Sequence, residues 1–543
     1  MYSLFAPTAL DFYKTGHIFQ YPQGTTEVYS NWTPRSDRLA PVIRESLDGL
    51  PAFDGKVVWF GLQAFMQAFL IDSWKQSFFD QARDVAVRRY KRRMDTALGD
   101  GAVPVTHIEA LHALGYLPVE IRALPEGSLI PMRVPALTIV NTLPEFFWVT
   151  NYLETAMSAE LWKASTVATI AREFRRLFEH YAALTGTPAE FVPWQGHDFS
   201  MRGIDGIERA MVSGAAHLLS FTGTDTVSAI DFLEEYYDAD AEAELIGSSV
   251  PATEHSVMCM GLEASEPDTI RRLITEVYPA GIVSIVSDTW NFWKVITECA
   301  EALRPEILAR RPDALGNAKV VFRPDSGDPV LILSGLTTTV IDTAEEVDQV
   351  SAETVCLAGR YFVVERKDGK ALLGAEVSAA EVKGAVECLW DLFGGSLTAT
   401  GHRLLNPRVG LIYGDSITLE RGQRILARLA AKGFASGNVV FGIGSYTYQY
   451  LTRDCFGWAM KATAGVVNGS VRELVKDPVT DNGTKRSARG YLRVVIDDGR
   501  YVLRDRQARQ DSLQGELRPV FRDGRVLGRT TLAEIRARLQ RAD

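Results

Sequence analysis

The segment RPDSGDP, residues 323–329, is the part of the sequence whose residue types most clearly favour ligand binding. It follows the apolar run Val320–Phe322, which predicts a strand that ends at Arg323. A guanidinium forms forked hydrogen bonds with phosphate oxygens, and Asp325 and Asp328 could bind ribose hydroxyls or water on Mg²⁺. The alternative is a Pro-Asp-Ser-Gly turn with charges on the protein surface. We predict a phosphate- or ribose-binding turn here.

Two further segments combine an aromatic ring, an arginine and carboxylates. GHDFSMRG, residues 196–203, presents Phe199 close to Arg202, a pair that suits a flat ring carrying a phosphate. A core phenylalanine beside a surface ion pair is the alternative. GTDT, residues 223–226, contains Asp225, whose carboxylate could accept a hydrogen bond from an amide NH₂. A helix N-cap is the common reason for such a residue.

SVPATEHS, residues 249–256, places His255, one of eight histidines, directly after Glu254. Histidine can act as an acid, a base, a metal ligand or a phosphate acceptor, and a structural role is the alternative. No histidines have the paired spacing of a helical metal site. We therefore assign no metal ligands.

Glycine-rich and basic segments complete the set. GDS (414–416) and FGIGS (441–445) could bind phosphate through backbone N–H groups, although neither matches a Walker loop or a dinucleotide fingerprint. LTRDCFGWAMK places Arg453 and Lys461 eight residues apart, and either could be a surface charge. Together the segments predict a pocket for a phosphorylated sugar and a flat heterocycle.

Most of these segments end short apolar runs, and helical segments such as 204–219 and 419–432 lie between several of them. Such runs predict strands that are buried on both faces, as in a parallel sheet. Polar residues at the carboxyl ends of such strands are typical of a β/α barrel active site; an ordinary doubly wound sheet is the alternative. The six runs are GHDFSMRG (196–203), SFTGTD (220–225), IVSIVSD (282–288), KVVFRPDSGD (319–328), VGLIYGDS (409–416) and NVVFGIGS (438–445).

The flanking regions have a different character. Residues 26–32 and 119–121 predict strands, and residues 61–98 and 144–185 carry apolar residues at helical spacing. Asp-Gly turns predict hairpins at 361–373 and at YLRVVIDDGRYVLRD (491–505), and residues 532–539 predict a closing helix. None of these elements carries a catalytic motif.

Composition narrows the class of protein. The 543 residues are 46% apolar and 23% charged, which excludes a disordered or fibrous chain. The net charge of −10 argues against a dedicated binder of nucleic acid or anionic membranes. Five widely spaced cysteines suit a reducing compartment, and we find neither a secretory signal nor a membrane span. We expect a soluble, cytoplasmic protein.

The ordered motifs resemble those of the nicotinate/nicotinamide phosphoribosyltransferase family, and in particular its nicotinamide-using members. The resemblance covers about residues 8–540, with a longer stretch than the family pattern at 345–405, whose role stays unassigned. The motifs are DFYKTGH, HDFSMRG, GTDT, SVPATEHS, VSDTW, RPDSGDP, YGDS, FGIGS, LTRD and KDP.

The resemblance implies transfer of phosphoribosyl from phosphoribosyl pyrophosphate to nicotinamide in NAD salvage, with Mg²⁺ required and ATP hydrolysis coupled through a phosphohistidine. It implies an α/β fold in a homodimer with shared active sites. The fold would have a β/α barrel-like catalytic domain at 191–475, with the extra segment at 345–405. A mixed α+β domain would be built from both chain ends, 1–190 and 476–543.

The resemblance also implies roles for single residues. Phe199 and the partner subunit's Tyr13 would stack on nicotinamide, Asp225 and Ser284 would bind its amide, and His255 would be phosphorylated. Arg323 and Asp325 would act with His255 at the reacting centre. The remaining implied substrate-binding residues are Arg202, Asp288, Gly414, Asp415, Gly444, Ser445, Arg453 and Lys461, the last two reaching the phosphates from the partner chain. Ser445 stands where the family has glycine, and its N–H can still bind phosphate if its φ is negative.

Two rival functions remain open from the sequence. Nicotinate phosphoribosyltransferases share parts of the fold and differ in their substrate. A β/α barrel aldolase or isomerase acting on a sugar phosphate would need a Schiff-base lysine or a paired carboxylate base, and Lys461 is the one candidate lysine that we identify.

Overall fold

A computed structural model describes residues 4–476 and 487–542. Asp477 and Pro478 of the KDP motif lie outside the described residues. The strands are β1 Thr25–Thr33, β2 Lys56–Val58, β3 Val119–Ala123, β4 Leu129–Pro131, β5 Leu137–Asn141, β6 Gly196–Asp198, β7 Gly223–Thr224, β8 Gly281–Val286, β9 Ala318–Arg323, β10 Thr338–Ile341, β11 Thr354–Leu357, β12 Arg360–Lys367, β13 Lys370–Val377, β14 Gly395–Leu397, β15 Arg403–Leu405, β16 Val409–Tyr413, β17 Val439–Ile443, β18 Ala459–Val467, β19 Ser470–Glu473, β20 Tyr491–Asp497, β21 Arg500–Gln507, β22 Arg518–Arg522 and β23 Arg525–Val526.

The α-helices of five or more residues cover both chain ends and the connections between strands. They are Arg83–Leu98, Thr106–Leu114, Glu154–Thr185, Ile207–His217, Val227–Tyr237, His255–Gly261, Glu266–Arg272, Arg304–Leu308, Pro329–Ser334, Ala379–Lys383, Ala385–Phe393, Leu419–Ala431 and Leu532–Ala542. None of the helices in the described ranges has the length and hydropathy needed to span a bilayer.

A six-stranded parallel sheet contains all six apolar runs that the sequence predicted as buried strands. Its strand order is β7-β6-β17-β16-β9-β8, and each neighbouring pair is parallel. Because parallel strands place their carboxyl ends at one edge, the predicted site segments meet there. The predicted helices also form, at Ile207–His217 and Leu419–Ala431.

Residues 248–253 bridge the two edge strands of this sheet. Next to β7, the N–H of Thr224 donates to the carbonyl of Ser248 at 2.9 Å, and next to β8 the N–H of Thr253 donates to the carbonyl of Ser284 at 3.0 Å. The segment therefore joins the edges of the curved sheet around an enclosed space.

Both chain ends contribute to a separate seven-stranded sheet with the order β19-β18-β1-β5-β3-β22-β23. β18 pairs antiparallel with β1 along its whole length, although it lies within residues 191–475, the range expected for the catalytic domain. The chain therefore passes from the six-stranded sheet to the seven-stranded sheet before β18, and not at residue 476. At its centre Trp32 stacks on Trp458 with ring centroids 5.5 Å apart.

The long helix Glu154–Thr185 is buried along most of its length and packs against the six-stranded sheet. Phe178 stacks on Phe441 of β17 at 5.0 Å, and Phe174 is fully buried. The helical pattern at residues 61–98 forms helical turns, but it is interrupted by wider π-helical turns at 66–73 and 75–79 before the regular helix begins at Arg83. Hydrophobic spacing does not distinguish these turn types.

The segment at 345–405 holds a small sheet with the order β10-β11-β12-β13 and its own apolar core around Val355. The predicted hairpin at 361–373 is β12 and β13, and that at 491–505 is β20 and β21. The predicted closing helix is Leu532–Ala542.

Candidate active site

A cavity of about 920 Å³ lies between the six strands and the bridging segment. At the carboxyl edge of the sheet it is lined by Phe199, Asp225, Ser284 and Arg323. Phe199 and Asp225 also line a second cavity of about 470 Å³, together with Arg202. The structure therefore brings the aromatic ring, the carboxylate and both arginines of the predicted pocket to one place.

The Phe199 ring has a fixed position because it packs directly on the backbone of Gly442. A Cβ at Gly442 would lie 2.4 Å from Phe199 Cδ2, so no larger residue fits opposite this ring. The N–H of Phe199 also donates to the carbonyl of Ile443 at 3.1 Å. The ring is half-buried and lines both cavities, as required for stacking on a flat ligand.

Asp225 is held by two side chains at the mouth of the cavity. His197 Nε2 lies 2.9 Å from Asp225 Oδ1, and Ser249 Oγ donates to the same oxygen at 2.6 Å. Burial raises the pKa of the Asp225 carboxyl, but the His197 and Ser249 hydrogen bonds and the Arg323 charge outweigh burial and bring the pKa below its ordinary value. The group is a carboxylate at neutral pH.

Two side-chain atoms of cavity-lining residues, Ser284 Oγ and Arg323 Nε, lack hydrogen-bond partners among the described residues. Ser284 Oγ is buried without a partner, and Arg323 Nε makes no hydrogen bond although it lies 3.8 Å from Asp325 Oδ2. Arg323 Nη2 donates to the carbonyl of Thr253. Since unpaired buried polar groups are costly, Ser284 and Arg323 have hydrogen-bonding capacity to offer a ligand.

Asp288 connects the histidine to the RPDSGDP turn. One carboxylate oxygen lies 3.1 Å from His255 Nε2, and the other accepts from the N–H of Asp325 at 2.8 Å and from Ser326 Oγ at 2.7 Å. Burial raises the pKa of Asp288, but these bonds bring it below its ordinary value. The His255 side chain is 48% exposed, so the ring is oriented and still open to a reactant.

Gly414 lies against the carboxylate of Asp325. A Cβ at Gly414 would lie 2.1 Å from Asp325 Oδ1, so glycine is required for the turn and the strand end to approach. Burial raises the pKa of Asp325, and Asp288 and Asp415 raise it further against the effect of Arg323. Asp415 is exposed at the same edge. This edge concentrates negative charge that a cation would relieve.

Gly444 and Ser445 follow β17 at the same edge. Ser445 is not among the residues of the described chain with positive φ, so the condition for its N–H to face a ligand is met. Its side chain packs against Gly203, where a Cβ would lie 2.2 Å from Ser445 Oγ. Ser445 therefore needs no left-handed backbone conformation.

Ten of the fifteen predicted site residues line neither cavity. Seven of them belong to the segments at the carboxyl edge described above: His255, Asp288, Asp325, Gly414, Asp415, Gly444 and Ser445. The other three are Tyr13, Arg453 and Lys461. Tyr13 is 59% exposed, Arg453 has a half-exposed side chain, and Lys461 lies on β18 opposite Asn31. Burial lowers the pKa of Lys461. None of the three lines either cavity.

Sequence reasoning assigned no role to His197, Ser249 or Tyr413. Tyr413 Oη donates to the carbonyls of Ser326 at 2.8 Å and Gly327 at 3.0 Å. His197 lies in GHDFSMRG and Ser249 in SVPATEHS, so their polar side chains within these motifs could have indicated a role in the site. Tyr413 ends an apolar run and gave no signal of its own.

Comparison with known proteins identifies the family of the chain. The sequence model described as "Nicotinate phosphoribosyltransferase (NAPRTase) family" matches residues 194–525. A nicotinamide phosphoribosyltransferase of Acinetobacter baylyi is 56% identical over 98% of this chain and 96% of the relative. One of Xanthomonas campestris is 30% identical over 97% of this chain and 96% of the relative.

Among solved structures, the nicotinate-nucleotide pyrophosphorylase from Pyrococcus furiosus superposes with a TM-score of 0.51 at 15% identity, covering 99% of this chain and 94% of that chain. At this identity the likeness concerns the fold alone. The family match and the two full-length relatives carry the assignment: this chain belongs to the nicotinate phosphoribosyltransferase (NAPRTase) family.

Proposed function

We propose that the protein is a nicotinamide phosphoribosyltransferase of NAD salvage, which converts nicotinamide and phosphoribosyl pyrophosphate to nicotinamide mononucleotide and pyrophosphate. The observation that carries the proposal is the Asp225 carboxylate, held by His197 and Ser249 beside the Phe199 ring. A carboxylate accepts from the amide NH₂. The unpaired Ser284 hydroxyl can donate to the amide carbonyl. The names of the two relatives point to the same substrate.

The same carboxylate argues against nicotinate as the main substrate. Like charges about 4 Å apart cost about 4 kcal/mol at an effective dielectric of 20, and the lowered pKa of Asp225 keeps its charge in place. The lysine that the sequence offered for Schiff-base chemistry, Lys461, lies on β18, outside the six-stranded sheet. Lys319 does line the cavity, but it stands near the amino end of β9, whereas β/α barrel enzymes place their catalytic groups at the carboxyl edge; a barrel aldolase or isomerase is therefore disfavoured.

The reaction then depends on charge and positioning. Departure of pyrophosphate builds positive charge at the anomeric carbon, as in glycoside cleavage. Arg323 and Arg202 stabilise the phosphates, while Phe199 holds the pyridine ring so that its nitrogen faces that carbon. The attacking nitrogen carries no proton, so no general base is required.

Mg²⁺ is part of the proposal as the partner of the substrate pyrophosphate. Mg²⁺ is commonly bound through one or two carboxylates together with substrate phosphates and water. Asp325 and Asp415 are the carboxylates available to it. The raised pKa of Asp325 reflects burial and repulsion from neighbouring carboxylates, and a bound cation would relieve that repulsion.

We further propose that ATP hydrolysis is coupled through phosphorylation of His255. Asp288 lies 3.1 Å from His255 Nε2 and would orient the ring, which leaves the other nitrogen for attack on the γ-phosphoryl group. Asp288 also accepts hydrogen bonds from Asp325 and Ser326 of the turn. Phosphorylation of His255 would therefore alter the phosphate-binding turn through the Asp288 side chain, which contacts both.

A homodimer with shared sites is the proposed assembly. It is supported by the exposed ring of Tyr13, by the half-exposed side chain of Arg453 and by the place of Lys461 in the seven-stranded sheet. We also propose a β/α barrel-like catalytic domain beside a mixed α+β domain from both chain ends. The five free cysteines suit the cytoplasm.

Product analysis tests the proposed function. The protein is incubated with Mg²⁺, phosphoribosyl pyrophosphate and either nicotinamide or nicotinate, with and without ATP, and nucleotide products are separated by chromatography. We expect nicotinamide mononucleotide and pyrophosphate from nicotinamide, and at most traces of product from nicotinate. An Arg323→Ala protein serves as the inactive control. Equal or preferred use of nicotinate would overturn the proposal.

A further inference from the structure

Asp198 lies directly beside both residues that the proposed site places against nicotinamide. It ends β6, immediately before Phe199, and it pairs across the sheet with Thr224 of β7, immediately before Asp225. Its side chain is fully buried, and it lines neither cavity. A ligand in the cavity does not touch this carboxylate, so any effect of Asp198 on the reaction must pass through its neighbours.

One carboxylate oxygen fixes the chain around the stacking ring. Asp198 Oδ1 accepts from the N–H of Ser200 at 2.9 Å, which is the hydrogen bond of an Asx turn. The residue between them is Phe199, whose own N–H is bound to the carbonyl of Ile443 at 3.1 Å. The turn therefore sets the direction in which the Phe199 side chain leaves the backbone.

The other carboxylate oxygen binds the residues on both sides of Asp225. Asp198 Oδ2 accepts from Thr226 Oγ1 at 2.7 Å and from Thr224 Oγ1 at 3.3 Å. The N–H of Asp225 itself donates to the backbone carbonyl of Asp198 at 2.9 Å. Asp225 is therefore held before, at and after its own position by one residue of the neighbouring strand.

Thr226 does not use its hydroxyl in the usual way for its position. It is the N-cap residue of the helix Val227–Tyr237, where a threonine hydroxyl commonly accepts from the helix backbone. Its side chain makes no such bond, because the hydroxyl donates to Asp198 instead. Loss of this hydroxyl would thus release the segment around Asp225 without removing a helix cap.

The backbone pairing at this edge of the sheet is too short to fix the segment alone. β7 has two residues and pairs with β6 through them, so Asp225 and Thr226 lie beyond the end of the strand. Hydrogen bonds to an ionised group are roughly twice as strong as those between neutral groups. The Asp198 carboxylate therefore continues the connection where the strand pairing ends.

No cation shares this carboxylate in the parts of the chain that the structure describes. The buried ring of His217 is near, but its Nδ1 lies 2.8 Å from Tyr448 Oη and its Nε2 lies 3.1 Å from the carbonyl of Gly223. Burial lowers the pKa of His217, so the ring is neutral at neutral pH. A Cβ at Gly214 would lie 3.1 Å from Asp198 Oδ2, so the following helix packs closely on the carboxylate. Its capacity to accept hydrogen bonds is used for the two segments of the site.

We propose that Asp198 is a positioning residue, which sets the separation and direction of the Phe199 ring and the Asp225 carboxylate so that nicotinamide meets both at once. The inference rests on the proposed function, which assigns nicotinamide to these two side chains. A displacement of either would weaken binding of the amide or the ring and would turn the attacking nitrogen away from the anomeric carbon.

Steady-state kinetics on three variants of the full-length protein test the role. Asp198→Asn keeps the shape and one acceptor, but its NH₂ replaces the oxygen that binds the threonines. Thr226→Val removes only the hydroxyl, and Thr226→Ser retains it. We expect Asp198→Asn and Thr226→Val to raise the KM for nicotinamide about tenfold and to lower kcat, with Thr226→Ser close to wild type. The KM for phosphoribosyl pyrophosphate should stay nearly unchanged, because Asp288 and Tyr413 hold the RPDSGDP turn.

A double variant and a control separate positioning from a general loss of stability. Asp198→Asn combined with Thr226→Val should raise the KM for nicotinamide little more than the larger single change, since both remove the same contact. Asp48→Asn, at a carboxylate that accepts from Tyr181 Oη at 2.7 Å, should lower the free energy of unfolding in denaturant and leave both KM values unchanged.

The outcomes distinguish this inference from the proposed function. A wild-type protein that forms no nicotinamide mononucleotide would refute the proposed function and the inference with it. With an active wild-type protein, an unchanged KM for nicotinamide in Asp198→Asn and in Thr226→Val would refute the inference alone. An equal rise of both KM values, or additive effects in the double variant, would refute it as well. If Asp198→Asn does not fold, the comparison of Thr226→Val with Thr226→Ser decides.

Discussion

At the scale of single residues, the site works through side chains whose charge state is fixed by their neighbours. Asp225 and Asp288 are both partly buried, and burial alone would favour their neutral forms. In each case a histidine and a serine hydroxyl stabilise the carboxylate. The two carboxylates therefore have similar surroundings, but Asp225 lines the cavity and Asp288 holds a turn.

Asp225→Asn should relax the choice between nicotinamide and nicotinate. The change keeps the shape and removes the repulsion of a ligand carboxylate, so the ratio of kcat/KM values for the two substrates should fall at least tenfold. Because the pKa of Asp225 is lowered, the wild-type ratio should stay flat between about pH 6 and 8, far above the ordinary Asp value. Steady-state kinetics with both substrates measure the ratio. Asp231→Asn, an exposed change on the following helix, is the control. An unchanged ratio in Asp225→Asn would refute the role.

His255→Ala should abolish ATP hydrolysis and ATP stimulation while leaving a weak transferase reaction. The phosphorylated ring would bring negative charge to the edge of the sheet that is proposed to bind Mg²⁺ and pyrophosphate, and this variant cannot form it. Labelling with γ-³²P ATP should give an acid-labile, base-stable adduct on the wild-type protein and none on the variant. His180→Ala, in which the lost bond is to the Asp48 carbonyl, is the control. A wild-type protein that hydrolyses ATP without such an adduct would exclude the phosphoenzyme.

At the scale of elements, the RPDSGDP turn is held from two sides. Asp288, after β8, binds its N–H and hydroxyl groups, and Tyr413, at the end of β16, binds two of its carbonyls. Burial raises the pKa of Tyr413, and nearby carboxylates raise it further, so the phenol remains a donor at working pH. The turn is thus fixed by the strands on either side of β9.

Tyr413→Phe should raise the KM for phosphoribosyl pyrophosphate several-fold and leave the KM for nicotinamide nearly unchanged. Loss of the hydroxyl frees two carbonyls of the turn, at a cost of about 1 kcal/mol in the free energy of unfolding. Kinetics and denaturant unfolding measure the two effects. Tyr501→Phe, which loses only a contact with Ser128, should show a stability change alone. If Tyr413→Phe, like Tyr501→Phe, changed the free energy of unfolding and left the KM for phosphoribosyl pyrophosphate unchanged, Tyr413 would have a structural role only.

The sequence predicted which segments form strands better than it predicted which strands lie next to each other. All six runs contribute a strand to the six-stranded sheet. In four of them the strand is the apolar part of the run, whereas β6 (Gly196–Asp198) and β7 (Gly223–Thr224) are short and contain no large apolar residue. Their order could not be predicted, since hydrophobic spacing does not say which strands pair. The approach of Gly414 to Asp325, and of Gly442 to Phe199, follows from that order.

At the scale of the whole molecule, the proposed homodimer would complete the site with residues of a second chain. The sheet of both chain ends carries Lys461 on β18, and Tyr13 lies in the turn Phe12–Gly16. Tyr13 contacts His17 and Lys14 of its own chain, and its ring is otherwise exposed. A second copy of the chain is the proposed route by which these groups reach a cavity.

Mixed dimers should therefore recover activity from two inactive parents. Tyr13→Ala and Arg323→Ala subunits, carrying different affinity tags, are co-expressed, and heterodimers are isolated by successive purification on both tags. In a shared-site dimer one site contains both substitutions and the other contains neither, so about half of wild-type activity per dimer is expected. The control is each parental homodimer, which should be nearly inactive. If verified, stable heterodimers are no more active than the parents, Tyr13 acts within its own chain or not at all. If the Tyr13→Ala homodimer is fully active, this ring does not belong to the site.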